Sequence, residues 1–379
     1  MGSAPLYLTL LAGPVYAAPV PKPVIDALES AQVTESATGR SGFQITFTLA
    51  NSSALQTLLL LAGDSPVPVL RIILVVTTGG LPQVLVDGVI EHHEVQPAAT
   101  SGSAKLVVTG HDLSVLMDLQ DNTGTQFPGQ APDTRVSTIL AQYSCLGIAP
   151  EVMPVPGSQA PDPSRQAPTQ RGTDFAYIGK LAKDAGYVFY LAPGALPGSS
   201  QAYFGPQVRI GPPQPALNVN MDAWTNVEKL TFSYQPQGAA WPIVYILNPD
   251  TGRTFQVPIP SVTPLNPALG LAVPPPQQFP KLVGTAKRTT AEAVMLGVAE
   301  AMKHADVVTG NGTLDVDRYG QVLRARSLVG VRGAGVAFDG LHYVDSVTHH
   351  LKPGEYKQDF VLKRNALIAN LPAVPTAPY

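Results

Sequence analysis

Seven histidines, one cysteine and a few closely spaced aspartates are the residues of this chain whose types suit chemistry. His92-His93 and His349-His350 are adjacent pairs inside segments with strand character. Neighbouring strand residues point to opposite faces, so neither pair readily offers both rings to one ion. They read as strand-surface or interface residues, although histidines from two different strands could share a site. His111, just before Asp112 in TGHDL, reads as a turn residue, and His304 closes a long helical pattern where a cation suits the C-terminal dipole. Asp315 and Asp317 in NGTLDVDRYG begin like a calcium loop. The match then fails, with Tyr319 at a position that needs an oxygen ligand and Arg326 where a bidentate Glu belongs. These two aspartates are expected on one strand face, solvated or facing an aqueous lumen. Asp118 and Asp121 bracket a helix end and do not make a convincing glycosidase pair. Asp87, Asp112 and Asp118 are expected to shape turns and caps.

Cys145 falls on the apolar face of a predicted helix and reads as a buried small hydrophobe. As the sole cysteine it excludes an internal disulfide and fits a reducing compartment. The chain has no G-x-S-x-G elbow, P-loop, G-x-G-x-x-G or C-x-x-C, and GVRGAG (330–335) has the wrong spacing and lies between predicted strands. The expectation is a protein without catalytic, cofactor-binding or metal-binding residues, and not an enzyme.

The elements that would position these residues are mostly strands. GFQITFTL (42–49) puts Phe43, Ile45, Phe47 and Leu49 on one face. Further strands are predicted over 69–77, 83–91 and 105–109, with Gly79-Gly80 as a hairpin turn. Short helices are predicted over 51–62 and 112–119, the second capped by Asp112. A helix over 134–146, capped by Asp133, carries Val136, Ile139, Leu140 and Tyr143 as its stripe. TDFAYIGKLAKDAGYVFYL (173–191) predicts a helix capped by Thr173, with Phe175, Ile178, Leu181 and Ala182 inward and Gly186 ending it, then a strand. A strand over 227–234, a helix over 289–305 and strands over 313–317, 321–328, 341–350 and 355–364 complete the pattern. Tyr343, Phe360 and Leu362 are the expected core of the last unit. The layout is 1–120 as a first β unit, 121–225 as an α/β insertion, and 226–365 as a second β unit with a Pro-rich arm (235–283). Residues 366–379 form an extended tail.

Composition agrees with a β-rich fold. The 379 residues include 34 Gly and 38 Pro, and only 13% are charged, about half the usual share. Proline costs about 3 kcal/mol inside a helix, which favours short strands and turns. A net charge of −3 leaves no basic footprint, so nucleic acid is not expected as the primary ligand. So little surface charge suits a chain buried against other subunits. Residues 4–19 imitate the core of a signal peptide, yet the first Lys is Lys22, so a mature first strand is the expectation, in a protein made in the cytoplasm without a signal peptide. No run of about 18 apolar residues exists to span a membrane.

Three ordered segments carry a family likeness: VLVDGVIEHHEVQP with LVVTGHDLSVLMDLQD (84–97 and 106–121), TDFAYIGKLAKDAGYVFYL (173–191), and GLHYVDSVTHHLKPGEYKQDFVLKRN (340–365). Together they resemble the phage late control protein D family, the baseplate hubs of contractile tails, related to the N-terminal part of type VI secretion spike proteins. The resemblance implies a mainly β fold with an α/β insertion, in which two tail-tube-like β-barrel domains sit in one chain. Three chains would form a pseudo-sixfold ring joining the sixfold inner tube to the threefold spike around a channel. The implied partners are two further copies, a separate trimeric spike protein, the inner tube or tube-initiator protein, and other baseplate proteins, within an assembled tail or injection particle. No cofactor is implied. The alternative is an exported β-sandwich binding module, for carbohydrate or a surface ligand, with residues 4–18 removed. A third reading is a cell-wall hydrolase at a tail tip.

Overall fold

A computed structural model describes residues 7–49, 70–97, 104–162, 167–248 and 251–370. The helix expected over 51–62 and the last nine residues of the tail lie outside these ranges.

The first seven strands are β1 (Tyr7–Gly13), β2 (Ala18–Pro19), β3 (Leu28–Ser36), β4 (Gly42–Leu49), β5 (Arg71–Thr78), β6 (Leu81–Gln96) and β7 (Ala104–Asp112). The expected first strand is β1, which pairs with β5 along its length and buries Leu10. β5 turns into β6 through Gly79 and Gly80, both at positive φ, the conformation a tight two-residue hairpin requires. Asp112 accepts hydrogen bonds from Ser114 N at 3.0 Å and Ser41 N at 2.7 Å, capping the 3₁₀ turn Leu113–Asp118.

The insertion contains β8 (Ile148–Val152), β9 (Val188–Pro193) and β10 (Ser200–Gly205) in the order β8-β10-β9, with β8 parallel and β9 antiparallel to β10. Two helices, Pro132–Ala141 and Asp174–Ala185, cover it. The second helix starts and stops as expected, Thr173 accepting from Ala176 N and Gly186 in the left-handed region. The first differs: Ala131 is its N-cap, Pro132 opens it and Asp133 lies in the first turn, because proline's fixed φ already suits that position. That helix stops at Ala141, and Cys145 falls in the following 3₁₀ turn Ser144–Leu146, exposed rather than buried. The native protein is therefore expected to take up one equivalent of a thiol reagent without denaturant; labelling only after unfolding would contradict this placement.

The remaining strands are β11 (Gln214–Asn218), β12 (Val227–Tyr234), β13 (Ile243–Leu247), β14 (Thr254–Pro258), β15 (Val308–Asp315), β16 (Leu328–Arg332), β17 (Gly340–Lys352) and β18 (Glu355–Arg364). The helix Thr290–Lys303 opens on a reciprocal capping box between Thr289 and Glu292. β13 and β14 form a separate hairpin inside the Pro-rich stretch. The strands expected over 313–317 and 321–328 are displaced: β15 ends at Asp315, which accepts from Asp317 N and Arg318 N and so caps a short helix. Asp315 and Asp317 therefore do not share a strand face. Residues 321–327 are not a strand, and the GVRGAG stretch starts inside β16 rather than between strands.

Strands β1–β7 and β11, β12 and β15–β18 belong to one 13-stranded sheet, ordered β12-β15-β18-β17-β3-β4-β7-β6-β5-β1-β2, with β16 and β11 branching from β17. The early and late strands of the chain join at a seam, β3 against β17, with Ser36 opposite Ser346 and Ala31 opposite Leu351. Among the described residues the path does not close, since β12 and β2 are its ends. One face packs into a shared core that includes Val33, Ile45, Leu85, Leu106, Val347 and Leu362. Tyr343, Phe360 and Leu362 are buried as expected. The insertion has its own core around Ile139, Ile178, Phe189 and Phe204, which extends onto Val89, Leu113 and Met117.

Candidate functional site: a polar sheet face behind a buried seam

Strand alternation sends every second residue of the joined sheet away from the core. Followed through the register, one row of these outward residues runs Asp315, Lys357, His350, Gln32, Gln44, Thr109, His92, across seven strands. A second runs Lys229, Thr313, Asp359, Thr348, Thr34. A third runs Thr231, Asn311, Val361, Ser346, Ser36. These residues are exposed or half-buried, while their strand neighbours fill the core. The result is a broad face of hydroxyls and amides that passes from one unit to the other without a break at the seam.

Its charges are largely answered locally. Lys357 Nζ lies 2.8 Å from Glu228 and 3.4 Å from Glu355, and Lys105 pairs with Glu29. Asp359 accepts from Thr313 Oγ1 at 2.6 Å and sits 2.9 Å from His350 Nε2. Thr34 and Thr348 share a hydroxyl hydrogen bond of 3.2 Å directly across the seam. Such a face is wettable and, among the described residues, pairs most of its charges locally.

Behind this face the seam is held by buried polar groups. Arg324 Nη1 reaches Glu35 Oε1 at 2.5 Å, and its Nη2 donates to Val84 O at 2.8 Å, tying residues 321–327 to β3 and β6. Burial pushes the Glu35 carboxyl up, but Arg324 and then His349 outweigh it and hold it at about 2. His349 is fully buried. Its Nδ1 lies 2.7 Å from Tyr356 Oη and 3.1 Å from Gln358 Nε2, whose amide is fixed by both backbone groups of Leu323. Nδ1 therefore accepts, and the ring proton sits on Nε2, 3.6 Å from Glu35. Burial keeps His349 neutral, lowering its affinity for a second proton. His342, buried under Phe232, is pushed down to about 3 by burial and by Arg364.

The residues that sequence reasoning singled out do not converge. His92 and His93 are exposed on β6, and His111 lies within β7, facing Glu91, rather than in a turn. His304 caps the C-terminus of its helix beside Glu300. Asp118 pairs with Arg40 at 2.7 Å and accepts from Thr173. Asp87 is not a turn residue: it sits inside β6 in a bidentate pair with Arg71, at 2.7 and 2.6 Å. Arg71 also donates to Gly198 O at 3.3 Å and Ser200 to Asp87 at 3.4 Å, so this pair fastens the insertion to the first unit. Glu35, Arg324 and Arg326 carried no sequence signal, because nothing in their local pattern marks a residue buried between strands over 280 positions apart.

No family profile and no curated protein matches the chain in sequence. Solved structures do match its fold. The tail protein from Neisseria meningitidis MC58 is similar at 12% identity and a TM-score of 0.61, covering 95% of this chain and 97% of that one. The 43 kDa tail protein of prophage MuSo2 from Shewanella oneidensis is similar at 14% identity and a TM-score of 0.56, with 94% and 98% covered. An E. coli protein described as a component of the type VI secretion system, with similarity to T4 bacteriophage tail proteins, is similar at 12% identity and a TM-score of 0.52, with 92% and 77% covered. The fold is thus one shared by phage tail and type VI secretion proteins, as the sequence resemblance implied.

Proposed function

We propose that this chain is a structural component of the baseplate hub of a phage tail or contractile injection system. Three copies close a ring in which the polar sheet face lines the channel, and the ring joins the sixfold tube to the threefold spike. The observation that carries this reading is the uninterrupted polar face across the β3–β17 seam, backed by one shared core. A channel wall needs that continuity, and an isolated two-domain binding module does not. The tail-protein fold supports the same reading.

In this reading residues 1–120 and 226–365 are the two tube-like units and 121–225 the insertion. The seam inside the chain is the counterpart of the joints between chains, where the end strands β12 and β2 would otherwise stay open as edges. The stretch 235–283, with its hairpin, is an arm toward neighbouring baseplate proteins. The role is geometric and needs no catalysis. Light scattering on the purified chain, alone and with a spike protein from the same particle, tests it. A mass three times 39.8 kDa is expected. A monomer under both conditions would remove the ring.

A further inference from the structure

The first unit, the insertion and the second unit meet at a cleft of about 460 Å³, within the range of small-ligand and peptide sites. Glu35, Gln83, Tyr190, Tyr203, Arg324 and Arg326 line it. Glu35 is paired with Arg324, and Glu151 accepts a hydrogen bond from Gln201 Nε2 at 2.6 Å. Arg326 feels Glu35 through space but makes no ion pair among the described residues. Its guanidinium lies 4.0 Å above the ring of Tyr190, which stacks on Tyr203 at 5.1 Å. Its Nε and Nη2 are buried and have no hydrogen-bond partner among the described residues.

The backbone of Arg326 is strained as well. Its φ is 63°, in the left-handed region that a long side chain adopts only under compulsion. The peptide is pinned there by Arg326 N donating to Val344 O at 2.9 Å, opposite the bulge in β17. A strained residue presenting unanswered donors is a pattern of binding sites rather than of packing.

Two strand edges flank the cleft. Among the described residues, 81–83 of β6 pair only with β5, the next carbonyl, Val84 O, being taken by Arg324, and β9 is an outer strand of its sheet. Free strand edges accept an extended backbone. Glu35 and Glu151 in the same cleft favour a single negative charge over a doubly charged phosphate. We propose that this cleft binds an extended segment of a partner protein through one carboxylate, held in the plane of the Arg326 guanidinium. The proposal does not depend on the ring.

The test uses the full chain and saturation-transfer NMR with synthetic tetrapeptides. Capped Ac-Ala-Asp-Ala-Ala-NH2 is compared with its Asn analogue, and with Ac-Ala-Ala-Ala-Ala carrying a free C-terminal carboxylate. The Asp peptide is expected to bind about tenfold more tightly than the Asn peptide, the worth of a charge-assisted hydrogen bond. Tighter binding of the free-carboxylate peptide would assign the carboxylate to a chain terminus instead of a side chain. Arg326→Gln and Arg326→Gly should each lose that tenfold. The glycine variant, suited to positive φ, should keep a thermal midpoint at least equal to the parent's and so serves as the folding control. Equal binding of Asp and Asn peptides, unchanged affinity in Arg326→Gly, or no saturation by any peptide at about 10 mM would overturn the proposal.

Discussion

Asp87→Ala is expected to lower the unfolding free energy by about 3–5 kcal/mol, measured by urea denaturation near neutral pH. Both partners of the Arg71–Asp87 pair are almost wholly buried, with side chains 5% and 0% exposed. Removing the carboxylate leaves a guanidinium with no counter-charge in a site that water does not reach. The same carboxylate receives Ser200, and Arg71 receives the support of Gly198, so the loss also loosens the insertion. Proteolysis of the variant should therefore begin within residues 121–225 before the β units are cut. Replacing both partners, Arg71→Met with Asp87→Leu, should cost less than the single change, because no unpaired charge remains. A single-variant cost below about 1 kcal/mol would show that the pair is not closed to solvent.

The second large effect is acid sensitivity. His342 titrates at about 3 in the folded chain against 6.5 when free, so the folded state binds fewer protons below pH 6.5. Its contribution is complete above that pH and is lost as pH falls, reaching about 2 kcal/mol by pH 5. His349 is shifted in the same direction and adds to the slope. Glu35, held at about 2 against 4.5, contributes above pH 4.5 and loses about 3 kcal/mol as pH drops toward 2. Urea midpoints should thus fall steadily from pH 7 to 5 and more steeply below 4.5. His342→Phe, which keeps an aromatic ring against Phe232, should flatten the upper part of the profile. Midpoints that stay level between pH 7 and 5 in the parent would contradict the burial of these rings.

Much of the local structure was legible because its causes are local. The Gly79-Gly80 turn, the Thr173 cap, the Gly186 stop and the alternation of 42–49 each depend on residues within a few positions of one another. The errors arose where a local preference met a second one. Pro132 took the helix start from Asp133, and the cap made by Asp315 ended β15 before the expected strand. Cys145 had the composition of a helix face but lay just past the end of the helix.

The sequence by itself determined the strand-rich class, since alternation and turn residues are short-range features, and it carried the three segments that resemble tail hubs; the three-part layout is an expectation. Only the tertiary structure decided that the early and late strands share one sheet and one core, and which outward residues form the polar face. It alone brought Glu35 to Arg324 and left two buried donors of Arg326 without a hydrogen-bond partner among the described residues. These are register and pairing facts. A one-residue slip of β3 along β17 would send Thr34 and Ser36 inward and Val33 outward, and no short-range pattern in the chain fixes that register.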